Sequence, residues 1–302
     1  MPCEEALQFV FPLPCSVDLT VLPIMTEIQQ EKKARREQLN ITKVQLDQWN
    51  KALGDLKPAK IIEWAILTFP YLFQTTAFGL SGLCILDMIS KMDLPKSLNS
   101  NTGKLPIELV FIDTLYHFPQ TLDLVDRVKE KYPSFALHVY KPDGCSNEKE
   151  FRERYGDELW KKNQLKYDFL TKVEPLERAY NELNIMAVFT GRRRSQGAAR
   201  SSLPVVDIDE TLGVIKINPL VNWSFDDVRS YIKSNGVPRN ELLDLGYKSV
   251  GDWHSTVPVK DGEDERSGRW KGQVKTECGI HQTSKYKQFL ENAAKKGNEK
   301  RV

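Results

Sequence analysis

The chain predicts an α/β protein built on a doubly wound, mainly parallel sheet flanked by helices. Beyond Pro70, short apolar runs alternate with helix-length stretches, a pattern that favours parallel pairing with helices on both faces of the sheet. The run at 107–112 is apolar apart from Glu108, as a strand buried on both sides over most of its length would be. Polar, small-residue loops follow three of the strands, at 75–82, 113–119 and 190–202. Doubly wound sheets bind ligands at that position, outside the carboxyl ends of strands.

Taken in order, residues 1 to about 25 are interrupted by Pro12 and Pro14 and read as an extended arm. A helix is predicted over 26–53, with Thr26 as N-cap, apolar positions at Ile28, Leu39, Val44 and Leu46, and a solvated charged stretch at 31–37. A second helix over 60–69 ends at Pro70. The core then runs as strand 71–78, helix 81–91, strand 107–112, helix 121–132, strand 135–140, helix 175–183, strand 185–189, strand 214–217 and helix 225–235. Ser224 caps the last helix and Gly236 stops it. From Gly246 onward the chain is rich in glycine, tryptophan and charge without a sustained period, and reads as an irregular lid and tail. Gly268, Gly272 and Gly279 permit that tail to move, and an exposed, fraying helix is expected over 285–302. The organisation expected is therefore an N-terminal arm and helix (1–55), an α/β core (56–245), and a lid and C-terminal tail (246–302).

Composition narrows the class. With 302 residues, 40% hydrophobic and 28% charged, the chain can bury a substantial core. A formal net charge of +2 gives no global basic field of the kind that marks a nucleic-acid binder. No apolar run approaches the length of a membrane span. Glu4, Glu5 and the two prolines make the N-terminus a poor secretion or transit signal. Cys3, Cys15, Cys84, Cys145 and Cys278 form no CxxC pair, which suits a reducing compartment, and a cytoplasmic location is expected. Cys84, on the apolar side of a predicted helix, reads as core.

Cys278 is the thiol to weigh first. It stands in Lys275-Thr-Glu-Cys-Gly-Ile-His281, and a thiol reacts as its thiolate, which Lys275 and His281 as neighbouring cations would favour. A free cysteine in a frayed tail is the bland alternative. The loop around Gly79 offers backbone N–H groups for an anion, or is an ordinary tight turn. Asp113 and Thr114 suit a ribose or base edge, or an Asp cap with a packed Tyr/Phe pair. Arg192, Arg193, Arg194 and Arg200 converge after a strand, and guanidinium forks match phosphate and sulfate oxygens. Arg266 and Arg269 suit a charged substrate once the tail closes, although composition alone favours an exposed loop.

Together these segments resemble the phosphoadenylyl-sulfate (PAPS) reductases, the thioredoxin-dependent family that makes sulfite, over roughly residues 70–281. The resemblance rests on five blocks in order: FIDTLYHFPQT from Phe111, KVEPLERA from Lys172, Gly191 to Pro204, GYKSVGD from Gly246, and ECGIH from Glu277. It implies the fold of the ATP pyrophosphatases (adenine nucleotide alpha-hydrolase-like). Their phosphate loop, Ser-Gly-Gly-x-Asp-Ser, corresponds here to Ala77-Phe-Gly-Leu-Ser-Gly82 without the acidic residue that helps hold magnesium. The sister adenylyl-sulfate (APS) reductases carry an iron–sulfur cluster on a Cys-Cys pair and a CxxC. The matching positions here are Tyr167, Asp168, Asp252 and Ser255, so no cluster and no other bound cofactor is expected.

The resemblance further implies a mechanism in which Cys278 attacks the sulfur of PAPS and thioredoxin releases sulfite from the resulting S-sulfocysteine. It implies Cys278 and His281 at the catalytic centre and Lys172, Arg266 and Arg269 on the phosphosulfate. Asp113 and Gly79 would hold the nucleoside, and Arg193, Arg194 and Arg200 phosphate. A homodimer is expected, with no nucleic acid, membrane or metal. The alternatives are a cluster-free APS reductase, an adenylyltransferase of the same fold, and a nucleotide-binding protein without catalysis.

Overall fold

The structure is a computed structural model that describes residues 41–93, 107–273, 275, 277–282 and 284–286. The arm, Thr26 with the first part of its predicted helix, Cys3, Cys15 and the tail beyond 286 lie outside the described residues.

The described chain opens with α1 (Lys43–Leu53), which begins at a capping box: Thr42 accepts from the backbone N–H of Gln45, and Gln45 accepts from that of Thr42. Helix α2 (Pro58–Thr68) starts on a proline, whose missing N–H costs nothing at that position. Strand β1 (Leu72–Thr76) leads into α3 (Leu80–Ser90), then β2 (Glu108–Ile112), α4 (Pro119–Lys131) and β3 (Leu137–Tyr140). A helical excursion follows: α5 (Glu148–Tyr155), α6 (Leu159–Lys162), α7 (Gln164–Asp168), a π-turn (Phe169–Val173) and α8 (Glu174–Glu182). The chain returns as β4 (Ala187–Phe189), β5 (Val206–Asp209), β6 (Val214–Ile217) and α9 (Phe225–Ser234).

The six strands stand in the order β3-β2-β1-β4-β6-β5, all parallel except the β5–β6 pair. The chain winds outward from β1 to β3, then crosses back to place β4 on the other side of β1. The strand order reverses at β1 and β4, which is where such sheets open a crevice. Side chains along each strand alternate between two cores. Leu72, Leu109, Phe111, Ala187 and Phe189 join the large cluster beneath α2, α3, α4 and α9. Phe73, Val110, Ile112 and Val188 pack on the other face against Leu176, Ala179 and Tyr180 of α8. Cys84 is fully buried in the first core, as its helix position predicts.

Two features differ from the sequence expectation. The helices over 148–168 were not predicted because α5 buries only Phe151. It is held locally by the Asn147 cap, with glutamates in its first turn and arginines in its last. Strand β5 was not predicted because it is a partly exposed edge strand whose partner, β6, follows through a short turn. The segment from Gly246 onward has, among its described residues, only 3₁₀ turns and two isolated bridges, His117 with Asp252 and Thr256 with Arg269. The helical turn at 284–286 is not fully exposed, because Tyr286 is buried and its hydroxyl meets Asp168 at 3.2 Å.

Candidate active site

A cavity of about 250 Å³ occupies the crevice at the carboxyl ends of β1, β2 and β4. Its floor comes from two loops that touch at the switch point. After β1, Thr76 Oγ1 accepts from the N–H of Phe78, and Phe78 turns at φ 55°. Gly79 then caps α3, leaving the first N–H groups of that helix at the cavity. After β4, Gly191 passes so close to α3 that a Cβ on it would stand 3.0 Å from the backbone nitrogen of Gly82. A side chain at 191 would therefore push the first turn of α3 aside by a few tenths of an ångström.

Lys172 enters from the other side, on the π-turn between α7 and α8. Such turns shift the side-chain register within a helix and recur at functional sites. Its ammonium is buried against Asp168 (2.9 Å) and Asp252 (2.6 Å). Burial opposes the charge, but Asp252 and then Asp168 outweigh it and hold the lysine pKa above its ordinary range. Asp168 also binds Lys275 and the Tyr286 hydroxyl.

Tyr167, Asp168 and Asp252 meet around Lys172 in a hydrogen-bonded network. Tyr167 Oη donates to Asp252 Oδ2 (3.1 Å) and lies 2.9 Å from His254 Nε2, while His254 stacks on Trp160. Among the described residues no group of three or more His, Cys, Asp or Glu is arranged to hold a metal ion.

Cys278 and His281 line the cavity on the 3₁₀ turn Gly279–His281, where the N–H of His281 donates to the carbonyl of Cys278 (3.0 Å). The charges of Lys172, Arg266, Arg269 and Lys275 each respond to a charge on Cys278. The sequence expectation for His281 is corrected on one point. Burial, followed by Arg192, Lys216, Arg200 and Arg266, pushes its pKa well below the usual imidazole range, so the ring is neutral and supplies no positive charge. The cations beside the thiol are Lys275 of its own segment and Lys172, Arg266 and Arg269 from elsewhere in the chain.

The arginines divide sharply. Arg269 lines the cavity beneath Gly251, where a Cβ would stand 2.2 Å from its guanidinium, and its Nε is buried without a partner. Arg266 also lines it, 3.3 Å from Glu277, with its pKa lowered to about 10 by burial and then by Arg200. Arg193 donates to both oxygens of Glu265 (2.8 and 2.6 Å) and to Ser81 Oγ (2.9 Å). Arg200 donates to both oxygens of Glu277 (2.6 Å each). Both reach the cavity with much of the fork committed to a buried carboxylate. Two expected members lie outside the cavity wall. Arg194 donates to the carbonyl of Leu203 and to Asn222, and Asp113 accepts from the N–H of Leu115 and faces Lys141 at 3.5 Å. Asp113 thus makes a local turn, and Thr114 beside it lines the cavity.

Lys216, Glu265 and Glu277 were not expected at the site, and Arg192 was expected there only as one of four clustered arginines. Lys216 carries a readable signal, as a lysine inside the apolar strand Val-Ile-Lys-Ile. The glutamates carry none, because their partners are 72 and 77 residues away.

A parallel sheet with a cationic crevice at its switch point is the layout of a nucleotide-binding α/β protein. The family model of the phosphoadenosine phosphosulfate reductase domain matches residues 71–258, and the chain belongs to that family. It is 58% identical over 258 residues to the phosphoadenosine phosphosulfate reductase of Saccharomyces cerevisiae, covering 84% of this chain and 96% of that one. It is 54% identical to the reductase of the same name from Emericella nidulans, over 85% and 82% of the two chains. Among solved structures, the Candida auris PAPS reductase, a phosphate complex, aligns with TM-score 0.65 and 54% identity over 72% of this chain and 98% of that one.

Proposed function

We propose that the protein reduces PAPS to sulfite and adenosine 3′,5′-bisphosphate through Cys278, with thioredoxin as electron donor, in assimilatory sulfate reduction. The observation that carries the reading is that Cys278, the one thiol among the described residues to line the switch-point crevice, shares its wall with Lys172, Arg266, Arg269 and the first turn of α3. The names of the fungal relatives supply the substrate class.

The chemistry follows from those groups. The Cys278 thiolate attacks the sulfur of the phosphosulfate, the S–O bond to phosphate breaks, and adenosine 3′,5′-bisphosphate leaves with the electron pair. Lys172, Arg266 and Arg269 offer only donors to the oxygens on which that charge develops. Neutral His281, with its buried Nδ1 unpartnered, adds a hydrogen bond there without adding charge. Gly79 and the first turn of α3 seat the nucleotide. Arg193 and Arg200 act mainly through Glu265 and Glu277, and hold the Cys278 segment over the cavity. A thioredoxin thiolate then attacks the Cys278 sulfur, sulfite leaves, and thioredoxin's second thiol resolves the mixed disulfide. Sulfur gains two electrons, thioredoxin loses two, and no bound cofactor takes part.

A cytoplasmic location belongs to the same reading, supported by the free thiols of Cys84, Cys145 and Cys278. So does a homodimer, for which Val44 on α1 offers an exposed apolar contact. Sedimentation as a monomer at micromolar concentration would remove the dimer.

The deciding experiment is intact mass after mixing the reduced protein with PAPS, then adding reduced thioredoxin. A sulfo adduct is expected on Cys278, lost again with thioredoxin and absent in Cys278→Ser, which should still bind nucleotide. Sulfite formation by Cys278→Ser would sink the mechanism. Pyrophosphate release from ATP would instead favour an adenylyltransferase.

A further inference from the structure

The substrate in the reading above, on which this inference rests, is anionic at two ends, a phosphosulfate and a separate phosphate monoester. The cavity likewise has two groups of cations. One is coupled to Cys278, as described. The other gathers round His281, where Arg192, Lys216 and Arg200 act on the imidazole and Arg266 is shared with the first group.

Within the second group, unspent donor capacity singles out one residue. Arg200 is spent on Glu277, and Arg266 is also paired with that glutamate, at 3.3 Å. Lys216 is ion-paired with Asp209 at 2.5 Å. Arg192 differs. It is 7% exposed and lines the cavity, and its Nε is shared between Thr190 Oγ1 and Asn218 Oδ1 (3.2 Å each). Its Nη2 is buried with no hydrogen-bond partner, and Asp207 approaches only to 4.0 Å. A buried guanidinium edge without an acceptor costs stability unless something supplies one.

The supports of Arg192 are also built in. Thr190 Oγ1 and Asn218 Oδ1 lie 2.5 Å apart and both accept from Nε, which fixes the plane of the fork. Lys216 lies on the strand paired with β4 and adds a second positive charge at the cavity wall. Asp207 and Asp209 on β5 offset that charge when the cavity is empty. A phosphate monoester is the dianion that a preset guanidinium edge beside an ammonium accepts best.

We infer that Arg192, backed by Lys216, binds the 3′-phosphate of the nucleotide and sets the preference for 3′-phosphorylated over unphosphorylated adenylyl sulfate. Arg193, Arg194 and Arg200 are not the determinants of that preference.

Calorimetric titration of adenosine 3′,5′-bisphosphate and of 5′-AMP against wild type, Arg192→Met and Arg192→Lys tests the assignment. For wild type, the bisphosphate should bind more tightly than AMP. In Arg192→Met that ratio should fall by about 10- to 100-fold, the worth of one or two charge-assisted hydrogen bonds. Arg192→Lys, which keeps the charge and loses the fork, should fall between. The kcat/KM ratio for PAPS over APS should drop in parallel. A ratio that stays at the wild-type value in both variants, or equal losses for both nucleotides, overturns the inference. AMP binding reports that each variant has folded, and if Arg192→Met does not fold, Arg192→Lys and Lys216→Gln carry the same ratio test. A wild type that forms no sulfo adduct with PAPS defeats the functional reading and this inference with it, whereas an active wild type with an unmoved ratio defeats the inference alone.

Discussion

Arg200 and Glu277 form a buried, two-pronged ion pair, Nε and Nη2 each 2.6 Å from a carboxylate oxygen, and the same glutamate accepts the N–H of Cys278 at 2.8 Å. The pair ties the loop after β4 to the residue next to the thiol, across 77 positions of sequence. A second buried pair, Arg193 with Glu265, joins the same loop to the segment earlier in the lid. Two ion pairs therefore hold an otherwise irregular segment in one place.

Removing one partner of the first pair leaves an uncompensated buried charge. Glu277→Gln should cost about 3–5 kcal/mol in urea unfolding, and the double substitution Arg200→Met/Glu277→Met should recover most of that loss. Alkylation of Cys278 by a neutral reagent should be faster in Glu277→Gln, because the turn that holds the thiol is no longer anchored. An unchanged alkylation rate would show that the pair does not control exposure of the thiol.

Lys172 is held between Asp168 and Asp252 with its ammonium at the cavity. Lys172→Met should lower the rate of sulfo-adduct formation by about 10²–10³-fold, the usual effect of losing one donor to developing charge. Bisphosphate affinity should fall far less, a split that calorimetry and quenched-flow mass measurement together can read.

Gly251 leaves room for the guanidinium of Arg269. Gly251→Ala adds a methyl where Arg269 now lies and should displace it without disturbing the sheet. Activity should drop while the melting temperature changes little. A variant with wild-type kcat would show that Arg269 need not sit there.

His254 gives a pH prediction. Burial pushes its pKa from 6.5 down to about 4, with Asp252 opposing the shift. The folded protein resists protonation of the ring, whereas the unfolded chain takes up the proton below about pH 6.5. Stability from this residue is therefore complete above pH 6.5 and declines as pH falls towards 4. His281 adds to the slope in the same direction. His254→Gln should flatten the fall in melting temperature over that window, and an equally steep profile would assign the loss to other groups.

Much of the fold was legible because strand and helix periods are local properties. Parallel strands 107–112 and 185–189 showed as apolar runs, and α9 showed through its Ser224 cap and the glycine that follows. Of the missed elements, α5 and β5 draw their stability from caps, charges or a neighbouring strand and not from a buried apolar face. At the site, Cys278, Lys172, Arg266, Arg269 and Gly79 all reach the cavity as expected.

The sequence by itself determined the alternation of elements, the single thiol among cations and the missing cluster cysteines, since each is a matter of residue type and spacing. Only the tertiary structure decided which charges are available. Charge runs in sequence do not reveal partners, and pairing depends on distances across the fold. Glu265 and Glu277 take up Arg193 and Arg200, Arg194 turns to Leu203 and Asn222, and His281 is neutral where it looked cationic. Among the described arginines of the cavity, Arg192 and Arg269 each keep a buried nitrogen without a hydrogen-bond partner, which no one-dimensional pattern could show.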